Sequence, residues 1–577
     1  MPGPAERMQT LLAQIYGTDV AAATYPRLSA MLDAFAAAHP AVPAPARPPA
    51  ERLSQDDVLL ITYGDQVREP ERPPLASLGD LLDVTFEGVL SGVHILPFYP
   101  YTSDDGFSVV DYLAVDPALG TWAEVEALRG RYRLMFDAVV NHISASSGWF
   151  QAFLAGEPGA ERRFHIVDPA TDLRGITRPR TTPVLTPFET PTGTHHVWTT
   201  FSADQIDLNF SDPALLLELT DVLLQYVAHG ASLIRLDAIG YLWKEFGTRC
   251  IHLPQTHAVV QLWRAALDQV APEVLLITET NVPHADNISY FGDGQNEAQL
   301  VYQFPLAPLV LHAFAAGDAA PLTAWAAALE PAGAATSFFN FLASHDGIGV
   351  VPATGLLTPA QVGELCARVE RHGGRVSYKN NPDGSQSAYE LNCTWFDALT
   401  DPAGDEPLAL AIERFVASQA IMLALQGVPG IYVQSMLGAP NDHVGLAETG
   451  RNRTLNREKW ARSILEARLA DPTRREGRVL QRMLHLIRVR RGEAAFHPQV
   501  PQRILDYGPA IFALERIPVA GPTVLCLHNV TDETQSVPLS DDEPWHDLLT
   551  GTTVNAAQAG VLAPYEVRWL VQMGIGS

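Results

Sequence analysis

Residues 232–240 read SLIRLDAIG, and the reading of this stretch decides the fold. It is a short apolar, β-rich run whose end carries Arg235 and, two residues on, Asp237. On a strand, residues two apart face the same way, so both polar side chains point together from its C-terminal end. Seven other runs share this texture and alternate with longer helical segments: DVLLITYG (57–64), GVHILPF (92–98), RLMFDAVVNH (133–142), VLLITET (274–280), LVYQFPL (300–306), SFFNFLASHD (337–346) and GVPGIYVQS (427–435). Eight apolar strands separated by helices predict an α/β chain folded as a (β/α)8 TIM barrel with a parallel sheet.

Three connections are too long for plain barrel loops. Residues 143–205, after strand three, are rich in Pro, Thr and Arg and predict an inserted subdomain. Residues 347–400, after strand seven, contain the polar, Gly-rich stretch RHGGRVSYKNNPDGSQSAYELN, and residues 436–460 follow strand eight. The expected organisation is a helical extension and linker (1–55), the first part of the barrel (56–142), the insert (143–205), the rest of the barrel (206–499) and a C-terminal antiparallel β domain (500–577). In the extension, Leu11, Leu12 and Ile15 mark one amphipathic helix, and Leu28, Met31, Leu32 and Phe35 a second. The Pro/Ala stretch HPAVPAPARPPAERL that follows cannot hold a helix. The two helices are expected to pack on the barrel bottom or on a neighbouring subunit.

Composition narrows the function. The chain has 577 residues, 47% hydrophobic and 18% charged, enough apolar surface for a large core. With 39 Lys+Arg against 65 Asp+Glu the net charge is −26, which argues against nucleic-acid and anionic-membrane partners. An anionic substrate then needs a local cationic cluster, and Arg174, Arg178 and Arg180 supply one. The four cysteines are scattered and fit neither a zinc spacing nor a disulfide scaffold. The N-terminus lacks the continuous apolar core of a signal peptide, and no apolar run is long enough to cross a membrane, so a cytoplasmic protein is expected.

Polar residues gather at the C-terminal ends of the strands, where barrel enzymes place their sites. They are Asp137, Asn141 and His142 on strand three, Arg235 and Asp237 on strand four, Glu279 on strand five, and His345 and Asp346 on strand seven. So many charges converging on one cleft are costly unless function retains them. Three carboxylates suggest glycoside chemistry, in which a nucleophile and an acid/base stand about 5–5.5 Å apart in retaining enzymes. Arg235 suits Asp237 to the nucleophile by keeping it ionised, and the apolar surroundings of Glu279 suit it to the acid/base. His142 and His345 are placed to hydrogen-bond sugar hydroxyls.

FDAVVNH, IRLDAIG, ITET and ASHDGIG, in this order and spacing, resemble the four signature regions of glycoside hydrolase family 13. GVHILPF, SDDGF, RPR, DGIGV and PGIYVQ resemble the sucrose-phosphorylase subgroup of that family. The resemblance covers roughly residues 55–577. It implies Asp237 as nucleophile, Glu279 as general acid/base and Asp346 as transition-state stabiliser. It also implies a glucosyl subsite formed by Asp104, His142, Arg235, His345 and Arg453, with Phe107 and Phe201 beside it, and Arg180 as the phosphate-binding arginine. The Tyr that the subgroup has three residues before that arginine is Thr177 here. Around Tyr389, Ser387 and Glu390 stand where the subgroup grips fructose, and Arg375 and Lys379 precede them. These departures imply a carboxylate acceptor, D-glycerate, and reversible phosphorolysis of 2-O-α-D-glucosylglycerate to glucose 1-phosphate by double displacement. Phosphorylases using fructose, fructose 6-phosphate or glycerol remain as alternatives, as do a family 13 hydrolase and a non-catalytic scaffold protein. Asn141 matches a calcium-binding position of some family amylases, but the subgroup works without the ion, so no metal and no cofactor are expected. Dimers occur in the subgroup, which leaves a homodimer open.

Overall fold

The computed structural model of the chain describes residues 2–42, 47–180, 182–330, 333–381, 384–540 and 544–573, so Pro43–Ala46 of the Pro/Ala linker and Pro382 and Asp383 of the polar loop lie outside the described residues. The eight apolar runs form β1 (Leu59–Thr62), β2 (Gly92–Ile95), β3 (Arg133–Ala138), β4 (Ala231–Leu236), β5 (Leu275–Thr278), β6 (Leu300–Tyr302), β7 (Ser337–Asn340) and β8 (Val428–Tyr432). Each strand pairs in parallel with the next in sequence, and β1 pairs with β8 (Leu59 opposite Gly430, Ile61 opposite Tyr432), which closes the barrel. The runs are apolar almost throughout because helices cover one face of the sheet and side chains fill the other. At β8 the filling is tight: a Cβ on Gly430 would stand 2.2 Å from the ring of the buried Phe339 on β7, so only glycine lets that ring lie across the strand.

The long connections carry their own structure. After β3, His142–Ser144 pairs antiparallel with Gln205–Asp207, and between them Leu185–Thr190 and Gly193–Trp198 form a hairpin. After β7, Ile348–Gly349, Gln386–Asn392 and Arg375–Asn380 make a three-stranded sheet. The C-terminal region forms a six-stranded antiparallel sheet from Gln502 to Gln572. A fully buried guanidinium on the sheet, Arg516, joins it to the barrel, and a second, Arg490, lies close by on the helix Arg475–Gly492. Arg516 donates to the carbonyls of Ala424, His497 and Val500, and Arg490 to those of Leu423, Gly427 and Phe496. The carbonyls of Leu423 and Ala424 end the helix Leu408–Ala424 and would otherwise be left unpaired in the interior. Among the described residues no helix is long and apolar enough to cross a membrane.

The N-terminal helices are α1 (Pro4–Tyr16) and α2 (Thr18–Ala38), and they lie on the barrel's flank, not beneath it. The helices α3 (Pro213–Ala228) and α4 (Pro254–Val270), on either side of β4, receive them. Met8, Leu11, Leu12, Leu28, Leu32 and Phe35 are buried in that contact region. Arg7 pairs with Asp268 of α4 at 2.5 Å, and the Tyr16 hydroxyl donates to the Phe210 carbonyl at 2.8 Å. The bottom of the barrel is reached by the linker instead, where Arg47 pairs with Glu273 at 2.7 Å. Since α3 and α4 lose an apolar cover with the extension, a chain lacking residues 1–40 is expected to unfold at lower temperature and to aggregate. Light scattering and a thermal melt check this; a monomeric, equally stable product would exclude a supporting role for the helices.

Candidate active site

The parallel register of β3 and β4 sets Asp137 opposite Arg235, and that pairing anchors the centre of the site. Arg235 is 2% exposed, and its Nη1 contacts Asp137 and, at 2.8 Å, Asp237. Its Nη2 lies 3.9 Å from Glu279. His94, hidden in the apolar run of β2, donates to the other oxygen of Asp137 at 2.6 Å. Burial alone would raise Asp137, but His94 and Arg235 hold it down at about 2. Asp237 and Glu279 sit one residue beyond β4 and β5, where backbone bonds (Asp237 to Ala138, Glu279 to Leu236, both 3.2 Å) continue the ladder. Burial pushes Asp237 upward while Arg235 and His142 pull it back. Glu279 is raised to about 7 by burial, reinforced by the charges of Asp237 and Asp346 and only partly opposed by the more distant Arg235.

Asp346 belongs to a second network. Its Oδ1 pairs with Arg453 at 2.7 Å and lies 3.5 Å from His345 Nε2. Burial would raise it, yet Arg453, His345 and Arg457 keep it well below the usual carboxylate range. Arg453 also lies 3.7 Å from Asp104 and is held by both oxygens of Glu390, at 2.7 and 3.2 Å. Asp104, with φ of +53°, lines the cavity, whereas Asp105 turns away to Arg457 and Arg451. The ring of Phe107 stacks on His345 at 4.6 Å and 4°, and the Phe107 carbonyl accepts from His142 Nε2 at 2.8 Å.

One cavity is lined by Asp104, Phe107, His142, Arg180, Phe201, Asp237, Glu279, His345, Asp346, Tyr389, Glu390 and Arg453, with Arg235 beneath them. Three expectations change in detail. Glu390, read as an acceptor contact, lines the cavity, is 3% exposed and clamps Arg453. Ser387 lies out on the hairpin, where its hydroxyl donates to Asn381, and Arg375 sits exposed at the hairpin's far end. The arginine cluster divides: Arg174 pairs with Asp172 in solvent, Arg178 bonds to Thr182 and Thr200, and only Arg180 lines the cavity. The Arg180 guanidinium lies 5.9 Å from the rings of both Phe201 and Tyr389 and makes no ion pair among the described residues. Gln205, Tyr241, His252 and Asn281 also line the cavity, although the sequence marks none of them beyond a polar or aromatic residue in a loop.

The alpha-amylase catalytic-domain family matches residues 88–355. The chain is 52% identical to the glucosylglycerate phosphorylase of Allomeiothermus silvanus over 90% of this chain and 91% of that one. It is 33% identical to the sucrose phosphorylase of Agrobacterium vitis over 80% and 92% respectively. In structure it is similar to the sucrose 6F-phosphate phosphorylase of Thermoanaerobacter thermosaccharolyticum, with a TM-score of 0.71, 25% identity and coverage of 82% and 94%. A barrel with carboxylates facing one another at its strand ends is an architecture that many glycoside hydrolases share. The chain belongs to glycoside hydrolase family 13, the alpha-amylase family, in its sucrose-phosphorylase-like subgroup.

One buried ammonium ties the insert to the barrel. Lys244, its side chain 3% exposed, pairs through Nζ with Asp207 at 2.7 Å, lies 3.3 Å from Asn141 Oδ1 and donates to the Tyr241 carbonyl. Asp207 in turn accepts from the Thr200 amide and hydroxyl at 2.7 and 2.6 Å. The segments ending β3 and β4 and the base of the insert thus converge on one cation. Lys244→Met leaves Asp207 buried without its partner and should lower stability by about 3–5 kcal/mol, read by denaturant unfolding. A loss below about 1 kcal/mol would show the pair to be incidental.

Proposed function

We propose that the chain is a retaining α-glucoside phosphorylase that converts 2-O-α-D-glucosylglycerate and inorganic phosphate into α-D-glucose 1-phosphate and D-glycerate. The observation that carries this reading is Arg180, a cation without a carboxylate partner among the described residues, in the same cavity as three carboxylates. A hydrolase needs no such charge, whereas a phosphorylase must favour a phosphate anion over water, and a guanidinium binds phosphate oxygens bidentately. The glycerate acceptor is supported by the 52% identity to a glucosylglycerate phosphorylase. Arg249 and Lys379 make no ion pair among the described residues either, and Arg249 is near enough to depress Lys379 after burial has done so. Arg180 lining the cavity, and Arg249 close enough to act on its Tyr241 and His252, favour anionic ligands on a chain of net charge −26. Phosphorylated sugars as substrates fit a cytoplasmic enzyme.

In this reading Asp237 attacks the anomeric carbon while Glu279 protonates the glycosidic oxygen, and D-glycerate leaves. The resulting β-glucosyl ester on Asp237 is then attacked by phosphate, which restores the carboxylate and retains the α configuration. Asp346, fixed by Arg453, and Arg235 supply charge around the oxocarbenium-like transition state. His345, kept neutral by burial, presents a donor or acceptor to the ring hydroxyls and adds no charge.

Reverse phosphorolysis tests the reading. With glucose 1-phosphate, D-glycerate should release phosphate far faster than fructose, fructose 6-phosphate or glycerol. Arg180→Ala should reduce phosphate-dependent turnover at least tenfold more than slow hydrolysis. Release with fructose alone would make the enzyme a sucrose phosphorylase, and equal loss of both activities would make Arg180 structural.

The pH profile follows from Glu279. It must carry a proton to assist departure of glycerate, and it loses that proton above about 7. The kcat/KM for glucosylglycerate should therefore fall roughly tenfold per pH unit above that value. With α-glucosyl fluoride, whose leaving group needs no proton, this basic limb should vanish. A limb of the same shape with both donors would assign it to another group.

A further inference from the structure

The wall of the cavity that holds Glu279 also includes His252, which the chemistry above does not use. Its setting is unusual for a loop residue. His252 has φ of +53° and Cys250, two residues earlier, +50°, a left-handed conformation that non-glycine residues rarely hold without cause. The conformation is fixed by a bond from the His252 amide to the Gly240 carbonyl at 2.9 Å. Position 240 must be glycine for the imidazole to fit, since a Cβ there would stand 2.9 Å from His252 Cε1. On its inner side Nδ1 lies 2.9 Å from the hydroxyl of Tyr290, which is fully buried. Nε2 is buried too and has no hydrogen-bond partner among the described residues. A buried ring nitrogen left unpaired is costly, and because His252 lines the cavity, a small shift of this wall on ligand binding would open that nitrogen to the ligand.

The protonation state follows from the surroundings. Burial, aided by the positive charge of Arg249, pushes His252 down to about 4, so the ring is neutral in the working range. Nδ1 is the acceptor within reach of the buried Tyr290 hydroxyl, and in the tautomer that lets this hydroxyl donate, the ring proton sits on Nε2 as an unused donor. Asp286 is the acidic group that bears on the ring, and it does not line the cavity. Arg249 bears on both His252 and Lys379, and neither Arg249 nor Lys379 is neutralised by a carboxylate among the described residues.

We propose that His252 is the residue that selects the acceptor, its Nε2–H donating to the carboxylate of D-glycerate as that molecule departs from, or approaches, the glucosyl group in the cavity that His252 lines. The proposal rests on the phosphorylase reading above. It accounts for the strained loop, the glycine at 240 and the unpaired nitrogen together. Glycerol, with the same carbon skeleton and a hydroxymethyl group in place of the carboxylate, lacks the anionic oxygen that Nε2–H would meet.

The test compares D-glycerate with glycerol as acceptors from glucose 1-phosphate. His252→Ala should raise the KM for glycerate at least tenfold, and should shrink the glycerate-to-glycerol ratio of kcat/KM by the same factor. His252→Gln, which keeps an N–H donor, should recover part of that ratio. Tyr290→Phe leaves the ring in place but frees its tautomer, so the ratio should fall by a smaller factor. It also probes the proposal if the loop of the alanine variant collapses. A ratio that stays at the wild-type value in His252→Ala and Tyr290→Phe, with both acceptors weakened alike, would overturn the proposal and leave the phosphorylase reading intact. A wild-type enzyme indifferent to glycerate would overturn both.

Discussion

The site depends on one buried guanidinium. Arg235 stands between Asp137, which fixes it from behind, and Asp237 and Glu279, which face the cavity at 2.8 and 3.9 Å. The positive charge is shared unequally, and this inequality divides the two cavity-facing carboxylates. Asp237 has the close contact and is stabilised as an anion, whereas Glu279 is left to the effects of burial and its anionic neighbours. Arg453 cannot redress the balance, because it already serves Asp104, Asp346 and Glu390. The cluster therefore holds more carboxylate than guanidinium, and the last proton resides on Glu279, where an acid/base is wanted.

Much of this was legible in the sequence, because it is local. Strand identity rests on apolar runs of a few residues, and all eight runs became barrel strands. That polar residues ending those runs would meet follows from the fold, since a closed parallel barrel brings all its C-terminal strand ends to one rim. The i, i+2 spacing of Arg235 and Asp237 similarly fixed their shared direction. What the sequence could not show depended on long-range contact. Glu390 reads like any polar residue next to an aromatic, and its bond to Arg453 spans the connections after β7 and β8. Arg174, Arg178 and Arg180 look equivalent in a string, yet the fold sends one to solvent, one to backbone carbonyls and one to the cavity. His94 and His252 gave no signal beyond a histidine inside a strand and a loop.

Strain is concentrated where the chemistry is. Seven non-glycine residues among those described have positive φ, and Asp104, Asp105, Ala238, Cys250 and His252 are five of them. Asp104 and His252 line the cavity directly, Ala238 follows the Asp237 carboxylate, and Asp105 anchors Arg457 behind Asp346. Conformations of this kind persist only when their surroundings over-determine them. Here the barrel core, the buried arginines behind the C-terminal sheet and the α1–α2 cover supply a rigid frame. The loops can then hold side chains at angles that a free loop would not keep.

The ammonium of Lys244 gives this frame a further property. The oxygens it joins, from Asp207, Asn141 and the Tyr241 carbonyl, are the kind of ligands that a hard metal ion takes. A lysine at that point is a counter-ion that cannot dissociate, because it is part of the chain. Inorganic phosphate complexes divalent cations, and an enzyme that works amid phosphate would compete with its own co-substrate for any ion cementing its loops. Fixing the junction with a covalently attached charge removes that competition and makes the tether indifferent to chelators.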